Sequence, residues 1–189
     1  MKVGVLAIQG DFAAHARALS RIGVTAVEIR RAGGLADVDG LIIPGGESTT
    51  MLKFVQEENL ADSIKHFAER GKPIFGTCAG AILLARDVQN PPQISLALID
   101  IVVARNAYGR QVDSFITGVE TTMAGGQLEA VFIRAPRILS VGAEVEIIAR
   151  HGDEPVMVRE KNILAATFHP ELTADERAHR LFTSIILGS

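Results

Sequence analysis

Cys78, the single cysteine of the chain, lies at the centre of Gly76-Thr77-Cys78-Ala79-Gly80. Glycines on both sides allow the sharp strand-to-helix turn that lifts a nucleophile out of a sheet, as in the nucleophile elbow of hydrolases. A helix N-terminus also stabilises the thiolate, because its first amides and its dipole favour negative charge. The pattern indicates a reactive thiol. Burial of a lone cysteine as a small apolar side chain is the alternative, and the pentapeptide alone leaves both open.

A histidine and a carboxylate follow the last predicted strand, in Phe168-His169-Pro170-Glu171. Pro170 favours an extended conformation at His169, and residues two apart in an extended segment project to the same side. We therefore expect Glu171 to reach the imidazole, fix its tautomer and stabilise its protonated form, which suits His169 as a general base. A turn that ends a strand before a helix would give the same four residues.

A third pattern, Pro44-Gly45-Gly46-Glu47-Ser48, ends an apolar strand. Glycine amides beside a cysteine could form an oxyanion hole, here Gly46 together with the amide of Ala79. The alternative is a plain strand-to-helix turn with Ser48 as the helix N-cap. The motif has neither the Gly-x-Gly-x-x-Gly spacing nor the Gly-Lys-Ser ending of a phosphate-binding loop.

The elements that must position these residues alternate between short β-branched runs and amphipathic segments, which indicates parallel strands joined by helices. Strands are predicted at 3–8, 25–29, 40–43 and 74–77, and helices at 12–22, 48–70 (a pair) and 79–85. Closer strand signals, at 113–119, 128–133, 145–150 and 156–159, indicate antiparallel pairing before a last strand at 163–167 and a helix at 174–187.

This pattern predicts a three-layer α/β fold. Its flavodoxin-like, mostly parallel sheet carries helices on both faces and additional antiparallel strands in the second half. The carboxyl ends of parallel strands share one edge of a sheet, so the loop at 44–48, Cys78 and His169 should converge there.

Composition excludes several classes of function. A length of 189 residues fits one domain, and a net charge of −3 gives no general attraction to nucleic acid or anionic lipid. With no tryptophan and one tyrosine, Tyr108, there is little from which to build a base-stacking platform. One cysteine allows no internal disulfide, and no apolar run approaches the roughly 20 residues of a membrane helix, so a cytoplasmic location is expected.

The other histidines lack metal-ligand spacing and are expected to be packing or surface residues: His15, His66, His151 and His179.

The three motifs, in this order, resemble those of class I (triad) glutamine amidotransferases and, more closely, of the glutaminase subunits of pyridoxal 5′-phosphate synthase. Ile82 stands four positions after the cysteine, where general class I members usually have glutamine, and this departure fits the vitamin B6 subfamily. The resemblance covers nearly the whole chain, taken as one domain over 1–189. It also rests on Gly4-Val5-Leu6, Gln9-Gly10, the run from Leu41 to Met51, Arg105-Asn106, the segment 109–115, the segment 132–136 and Leu172-Thr173.

The resemblance implies hydrolysis of L-glutamine to L-glutamate and ammonia by Cys78, with His169 transferring protons and Glu171 orienting His169. The ammonia would pass to a synthase subunit in a large hetero-oligomer, and no cofactor or metal is implied. Docking to the synthase would control activity, with Gln9 as part of a switch that completes the oxyanion hole. The glutamine-binding residues implied by the resemblance are Gly46, Glu47, Ser48, Arg105, Ile133 and Arg134.

Two other functions could use the same motifs, and each requires different residues. A glutaminase serving another synthase, such as that for imidazole glycerol phosphate, is disfavoured by Ile82 and by the Gly-Arg-Gln-Val-Asp-Ser-Phe segment at 109–115. A non-catalytic flavodoxin-like redox or regulatory module would use the elbow cysteine as a sensor. Such a sensor needs no oriented base, so the pairing of His169 with Glu171 favours the enzyme.

Overall fold

A computed structural model describes residues 1–105 and 114–188. The helices are α1 (Phe12–Arg21), α2 (Ser48–Glu57), α3 (Leu60–Glu69), α4 (Ala79–Leu84) and α5 (Arg177–Leu187). The strands are β1 (Lys2–Leu6), β2 (Thr25–Ile29), β3 (Gly40–Ile43), β4 (Ile74–Thr77), β5 (Ala85–Gln89), β6 (Ile99–Ala104), β7 (Ser114–Thr121), β8 (Leu128–Ile133), β9 (Arg137–Val141), β10 (Glu146–His151), β11 (Glu154–Glu160) and β12 (Ile163–Ala166). Two 3-10 helices span Ala32–Asp37 and Pro170–Leu172. Among these described helices, none has the length and apolar character to cross a membrane.

One large sheet organises the described residues, in the strand order β2-β1-β3-β4-β12-β11-β10-β7-β8. The first five strands in this order pair in parallel, and the following four extend the sheet by antiparallel pairing. The predicted combination of a parallel sheet with antiparallel strands in the second half is confirmed. Because β3, β4 and β12 are parallel neighbours, the loops that follow them lie at one edge.

Alternation along the central strands explains the three layers, since successive side chains of a strand point to opposite faces. Leu41 and Ile43 of β3 pack into the apolar cluster that includes Met51 of α2. Ile42, between them, packs with Leu19 of α1 in a second cluster, on the opposite face. Both faces are therefore covered, as the continuous apolar run at 41–43 predicts.

The predictions differ from the structure mainly in a second, smaller sheet. β5, β6 and β9 form a separate three-stranded sheet, and the sequence pattern predicted none of these three strands. β5 carries charged residues at exposed edge positions, Arg86 and Asp87, which obscure its alternation. The predicted strand at 113–119 begins outside the described residues, and its described part is β7. Residues 106–113, with Tyr108 and most of the 109–115 motif, also lie outside them.

The last helix begins at Arg177, three residues later than predicted. The hydroxyl of Thr173 accepts the N–H of Asp175 at 3.1 Å, and the carboxylate of Asp175 accepts the N–H of Arg177 at 3.1 Å. Such local side-chain bonds offer the backbone an alternative to the helical ladder, which delays the start of α5.

Candidate active site

The loops after β3, β4 and β12 enclose a cleft of about 360 Å³. This volume lies within the range of roughly 300–1,000 Å³ that is usual for small-molecule sites. The convergence predicted for the sheet edge is therefore observed. The cleft is lined by Gly10, Asp11, Gly45, Gly46, Glu47, Ser48, Cys78, Ala79, Ile82, Arg105, Ile133, Arg134, Pro136 and His169.

Cys78 occupies a strained elbow between β4 and α4. Its φ of 48° and ψ of −105° lie outside the usual regions for a residue with a side chain, and such strain often accompanies function. The flanking glycines are sterically required, because a Cβ at Gly80 would lie 2.0 Å from the carbonyl oxygen of Ile43, and one at Gly76 would lie 2.7 Å from that of Gly80. The backbone N–H of Cys78 donates to Ala166 of β12 at 2.8 Å, which fixes the elbow on the sheet.

His169 and Glu171 form a buried pair beside the cysteine. Nδ1 of His169 and Oε1 of Glu171 are 2.7 Å apart, and the two residues are 6% and 4% exposed. The predicted contact is present, but the predicted extended backbone is wrong at Glu171. Pro170 begins the 3-10 helix Pro170–Leu172, because its fixed φ suits the first helical position. This tight turn, rather than an extended strand, brings the carboxylate back to the imidazole.

The surroundings of His169 favour its protonated form. Burial acts to lower its pKa, but the side-chain hydrogen bonds with Cys78 and Glu171, and the negative charge of both groups, raise the pKa to about 10. Nδ1 is engaged by Glu171, so Nε2 is the nitrogen that faces the sulfur. An imidazolium beside a thiolate is the activated state of a cysteine nucleophile.

Gly45 packs directly on the imidazole of His169. A Cβ at position 45 would lie 2.4 Å from Cε1 of that ring. Gly10, whose φ is +88°, supports Gly45 from behind, since a Cβ there would lie 1.7 Å from the Gly45 carbonyl oxygen. The two glycines therefore form the wall that holds the ring against Cys78. Sequence reasoning noted the motif but gave Gly45 no role, because the contact joins residues far apart in the chain.

A methyl group at this wall should displace the base without unfolding the protein. We expect Gly45→Ala to lower kcat for amide hydrolysis by about 100-fold, the usual effect of misplacing a catalytic group by about 1 Å. Steady-state kinetics checks this, with circular dichroism as a test of folding. Gly33→Ala is the matched control, because a Cβ at Gly33 meets no atom within 4 Å. Equal activity of the two variants would contradict the role assigned to Gly45.

The predicted oxyanion-hole residues both line the cleft. Ala79 is the first residue of α4, and the first amides of a helix have no acceptor within it, so the Ala79 N–H is suited to a ligand. Gly46 lines the cleft from the loop after β3. Gln9 is close to that loop, and its side-chain oxygen accepts the N–H of Glu47 at 3.1 Å. Gln9 thus restrains the peptide that follows Gly46.

The side chain of Glu47 serves as the N-cap of α2. Its carboxylate accepts the backbone N–H groups of Thr49 at 3.0 Å and Thr50 at 2.7 Å, and both hydroxyls donate to it at 2.7 Å. Glu47, rather than Ser48, is therefore the cap. Burial acts to raise the pKa of Glu47, but hydrogen bonds from Thr50 and Thr49 lower it to about 2.

Removing this cap should destabilise the protein in a pH-dependent way. We expect Glu47→Ala to lower the free energy of unfolding by about 1 kcal/mol near neutral pH, the usual contribution of an N-cap. The pKa of Glu47 falls from an ordinary 4.5 to about 2 on folding, so the ionic part of this contribution is present above 4.5 and is lost toward pH 2. Urea titrations at several pH values measure the difference. The control is Glu58→Ala, at an exposed position; an equal effect of both variants would contradict the cap.

The remaining predicted glutamine-binding residues surround the cleft. The buried hydroxyl of Ser48 donates to the side-chain oxygen of Gln93 at 2.9 Å. Arg105 donates to the hydroxyl of Thr49 at 3.1 Å, and its guanidinium lies 3.8 Å from the carboxylate of Glu47. The Arg105 side chain is only 14% exposed, so it is held over the mouth of the cleft rather than solvated.

Ile133 and Arg134 line the same cleft as Arg105. The carbonyl oxygen of Ile133 lies 3.9 Å from Sγ of Cys78. Arg134 is exposed and has a φ of 46°, an uncommon conformation for a residue with a side chain. The last residue of β8 therefore brings its backbone carbonyl up to the thiol.

Several lining residues were not singled out as site residues from the sequence, notably Gly10, Asp11 and Pro136. Asp11 follows Gln9-Gly10 in the loop after β1, which lies at the same edge of the sheet as the cleft. Its place in that loop is the sequence signal that would have identified Asp11 as a lining residue. Single ligand atoms of Asp11, His169 and Glu171 lie within 4.8 Å of one another. A cation bound there would compete with the hydrogen bond between His169 and Glu171.

The chain matches the SNO glutamine amidotransferase family over residues 5–187. It is 53% identical over 189 residues to "Pyridoxal 5'-phosphate synthase subunit PdxT" of Solibacter usitatus, covering 97% of this chain and 98% of that one. Identity to the protein of the same name from Koribacter versatilis is 50% over 186 residues, covering 98% and 96%.

A solved structure agrees with the match to the glutamine amidotransferase family, and a second one shares the fold. A crystal structure of a glutamine amidotransferase has 47% sequence identity and a TM-score of 0.92, covering 97% of this chain and 98% of its own. The structure of PurLQS from Thermotoga maritima has a TM-score of 0.77 at 18% identity, over 99% of this chain and 98% of that one, which shows a shared fold alone. The chain therefore belongs to the SNO glutamine amidotransferase family.

Proposed function

We propose that this chain hydrolyses the side-chain amide of L-glutamine to L-glutamate and ammonia through Cys78, His169 and Glu171. The observation that carries the proposal is the cysteine elbow beside an imidazole that is held by a buried carboxylate 2.7 Å away. Membership of the glutamine amidotransferase family supports glutamine as the substrate. The cleft volume, about 360 Å³, is adequate for one amino acid.

In the first half of the reaction, the Cys78 thiolate attacks the carbonyl carbon of the substrate amide. The negative charge that develops on the carbonyl oxygen is suited to the amides of Gly46 and Ala79, the proposed oxyanion hole. The His169 imidazolium gives its proton to the amide nitrogen, the carbon–nitrogen bond breaks, and ammonia leaves. The product on the enzyme is a thioester between Cys78 and the glutamyl group.

In the second half, a water molecule attacks the thioester. Neutral His169 takes one proton from this water, the carbon–sulfur bond breaks, and Cys78 returns to the thiolate. The new carboxyl group loses the second proton to solvent, and glutamate leaves. Glu171 does not exchange protons in this sequence. It holds the imidazole in one tautomer and stabilises its charged form in both halves.

The rim of the cleft is suited to the α-carboxylate of glutamine. Arg105 is the stronger candidate because its largely buried guanidinium is already oriented by Thr49. Arg134, which also lines the cleft, is the second candidate. Glu47 and Ser48 have engaged side chains, so we propose that they contribute mainly through the backbone next to Gly46, and that Ile133 contributes its carbonyl oxygen.

We further propose that the ammonia is supplied to a pyridoxal 5′-phosphate synthase subunit, within a large hetero-oligomer in the cytoplasm. Identities of about 50% to proteins named as subunits of that synthase support this assignment. The contact between Gln9 and the peptide after Gly46 supports Gln9 as the switch that responds to docking. The family match over residues 5–187 supports one glutamine amidotransferase domain over 1–189.

Ammonia release from L-glutamine tests the proposal, measured for the purified chain alone and with a purified synthase subunit of the family. We expect hydrolysis with the partner present, and none with L-asparagine, whose amide is one methylene closer to the α-carbon. Absence of hydrolysis with the partner, when Cys78 is fully reduced, would overturn the glutaminase assignment. If the synthase subunit changes the binding of glutamine but not the rate of its hydrolysis, the switch role assigned to Gln9 is overturned.

A further inference from the structure

A buried row of polar side chains continues beyond the candidate triad. His15 of α1 is fully buried, and its Nε2 lies 3.3 Å from Oε2 of Glu171 and 3.1 Å from the hydroxyl of Thr77. Nδ1 of His15 lies 3.0 Å from Nε2 of His179 in α5, also fully buried. These contacts join four distant parts of the chain behind His169.

The two oxygens of Glu171 are held unequally. Oε1 contacts His169 at 2.7 Å, whereas Oε2 is buried and has no well-aligned hydrogen bond from any described residue. The group that faces Oε2 is Nε2 of His15. This nitrogen also lies within hydrogen-bond distance of the hydroxyl of Thr77. A buried carboxylate oxygen without a donor is costly, and a proton on this nitrogen would supply the donor that Oε2 lacks.

Both histidines of the row are neutral near pH 7. Burial, then His179 and His169, hold the pKa of His15 well below its ordinary value, and burial with Arg21 lowers the pKa of His179 to about 4. Each ring therefore carries one proton. A lone pair on Nε2 of His15 would repel the carboxylate, so that nitrogen carries the proton and Nδ1 accepts one from Nε2 of His179. Nδ1 of His179 is then a bare acceptor, in agreement with its lack of a hydrogen-bond partner among the described residues.

We propose that His15 is a positioning residue for the triad, which donates its Nε2 proton to the free oxygen of Glu171, and that His179 fixes the tautomer that makes this possible. The inference rests on the proposed function of Glu171 as the carboxylate that orients His169. His15 touches no atom of the substrate. It acts by holding Glu171 in one rotamer, with Oε1 against Nδ1 of His169, which in turn maintains the imidazolium beside Cys78.

Three substitutions at His15 and one at His179 separate this role from simple packing. His15→Gln places an amide N–H near the former Nε2 and can still reach Glu171. His15→Asn places its amide near the former Nδ1, so it can reach His179 but not Glu171. His15→Leu fills the space without a donor. His179→Phe keeps a ring against Phe75, 6.2 Å away between centroids, and removes only the donor to His15.

Two measurements are made on each folded variant, with the synthase subunit present for catalysis. We expect His15→Leu and His15→Asn to lower kcat by about 10- to 100-fold with little change in KM, the cost of leaving a buried charged acceptor without its donor. His15→Gln should stay close to wild type, and His179→Phe should lie between them. Thermal unfolding is recorded in parallel. If His15→Leu does not fold, the difference in kcat between His15→Asn and His15→Gln tests the proposal.

The second measurement is the pH dependence of Cys78 alkylation by iodoacetamide, which is site-specific because the chain has no other cysteine. The titratable groups facing His169 are Cys78, Glu171 and Asp11, and those facing His15 are His179, His169 and Glu171. We expect the half-maximal pH of alkylation to rise by about one unit in the Asn variant and to stay unchanged in the Gln variant.

An unchanged alkylation profile and kcat in the Asn variant would overturn the proposal, as would equal losses in the Asn and Gln variants, which would indicate packing alone. Alkylation requires no glutamine hydrolysis. A chain that lacks glutaminase activity but shows the expected alkylation shift would contradict the proposed function while supporting the role of His15.

Discussion

Replacing Cys78 by alanine is expected to lower kcat for ammonia release from glutamine by about 10⁴-fold or more, because no other group can form the acyl intermediate. The sulfur is the only thiol of the chain, and Cys78 lines the cleft within hydrogen-bonding reach of His169. Alanine should preserve the elbow, since the flanking glycines and the N–H bond to Ala166 are unchanged. Ammonia release is measured with the synthase subunit present.

Glutamine binding supplies the control for this variant. Because Arg105 and the loop after β3 are untouched, Cys78→Ala should still bind glutamine, as measured by calorimetry, and should still associate with the synthase subunit. Full ammonia release by the alanine variant would show that the assigned nucleophile is wrong. Loss of association would show instead that the substitution had disturbed the fold.

The second large effect is expected for His169→Asn, which should lower kcat by about 10³- to 10⁴-fold, the upper range for loss of a general acid–base group. Asparagine can still donate to Glu171 from a position near the former Nδ1, but it cannot carry a proton to the leaving amide. The variant should also lose rapid Cys78 alkylation at neutral pH, because no imidazolium remains to stabilise the thiolate.

Stability should depend on pH through the same histidine. The pKa of His169 rises from an ordinary 6.5 to about 10 on folding, so its charged form stabilises the folded state. That contribution is complete below pH 6.5 and is lost as the pH rises through 10. The difference in unfolding free energy between wild type and His169→Asn should therefore shrink between these values. A constant difference would mean that His169 is neutral in the folded protein.

The fold was most predictable where pattern and burial coincide. The strands at 25–29, 40–43, 74–77 and 128–133 have the predicted bounds. The missed strands β5, β6 and β9 form the smaller sheet, and β5 and β9 are short strands with only one or two buried side chains each. The late start of α5 depends on hydrogen bonds from backbone N–H groups to the side chains of Thr173 and Asp175. Helix propensities of single residues do not account for such bonds.

The site was predictable to the extent that it depends on topology. Three motifs at the ends of parallel strands must meet, so the grouping of Cys78 and His169 with the loop at 44–48 follows from the strand order. The supporting contacts could not be predicted, because they join residues far apart in sequence. Examples are the packing of Gly45 on His169 and the contact of His15 with Glu171, for which the sequence indicated only a packing or surface histidine.

The most direct test of the central claim is to identify the atom that a glutamine-shaped electrophile labels. The chain is incubated with the synthase subunit and a diazoketone analogue of L-glutamine, which alkylates a nucleophile with loss of nitrogen gas, and is then mapped by peptide mass spectrometry. We predict one label per chain, on Cys78, prevented by excess glutamine and absent from Cys78→Ala. A label on another residue, or equal labelling of the alanine variant, would contradict the account.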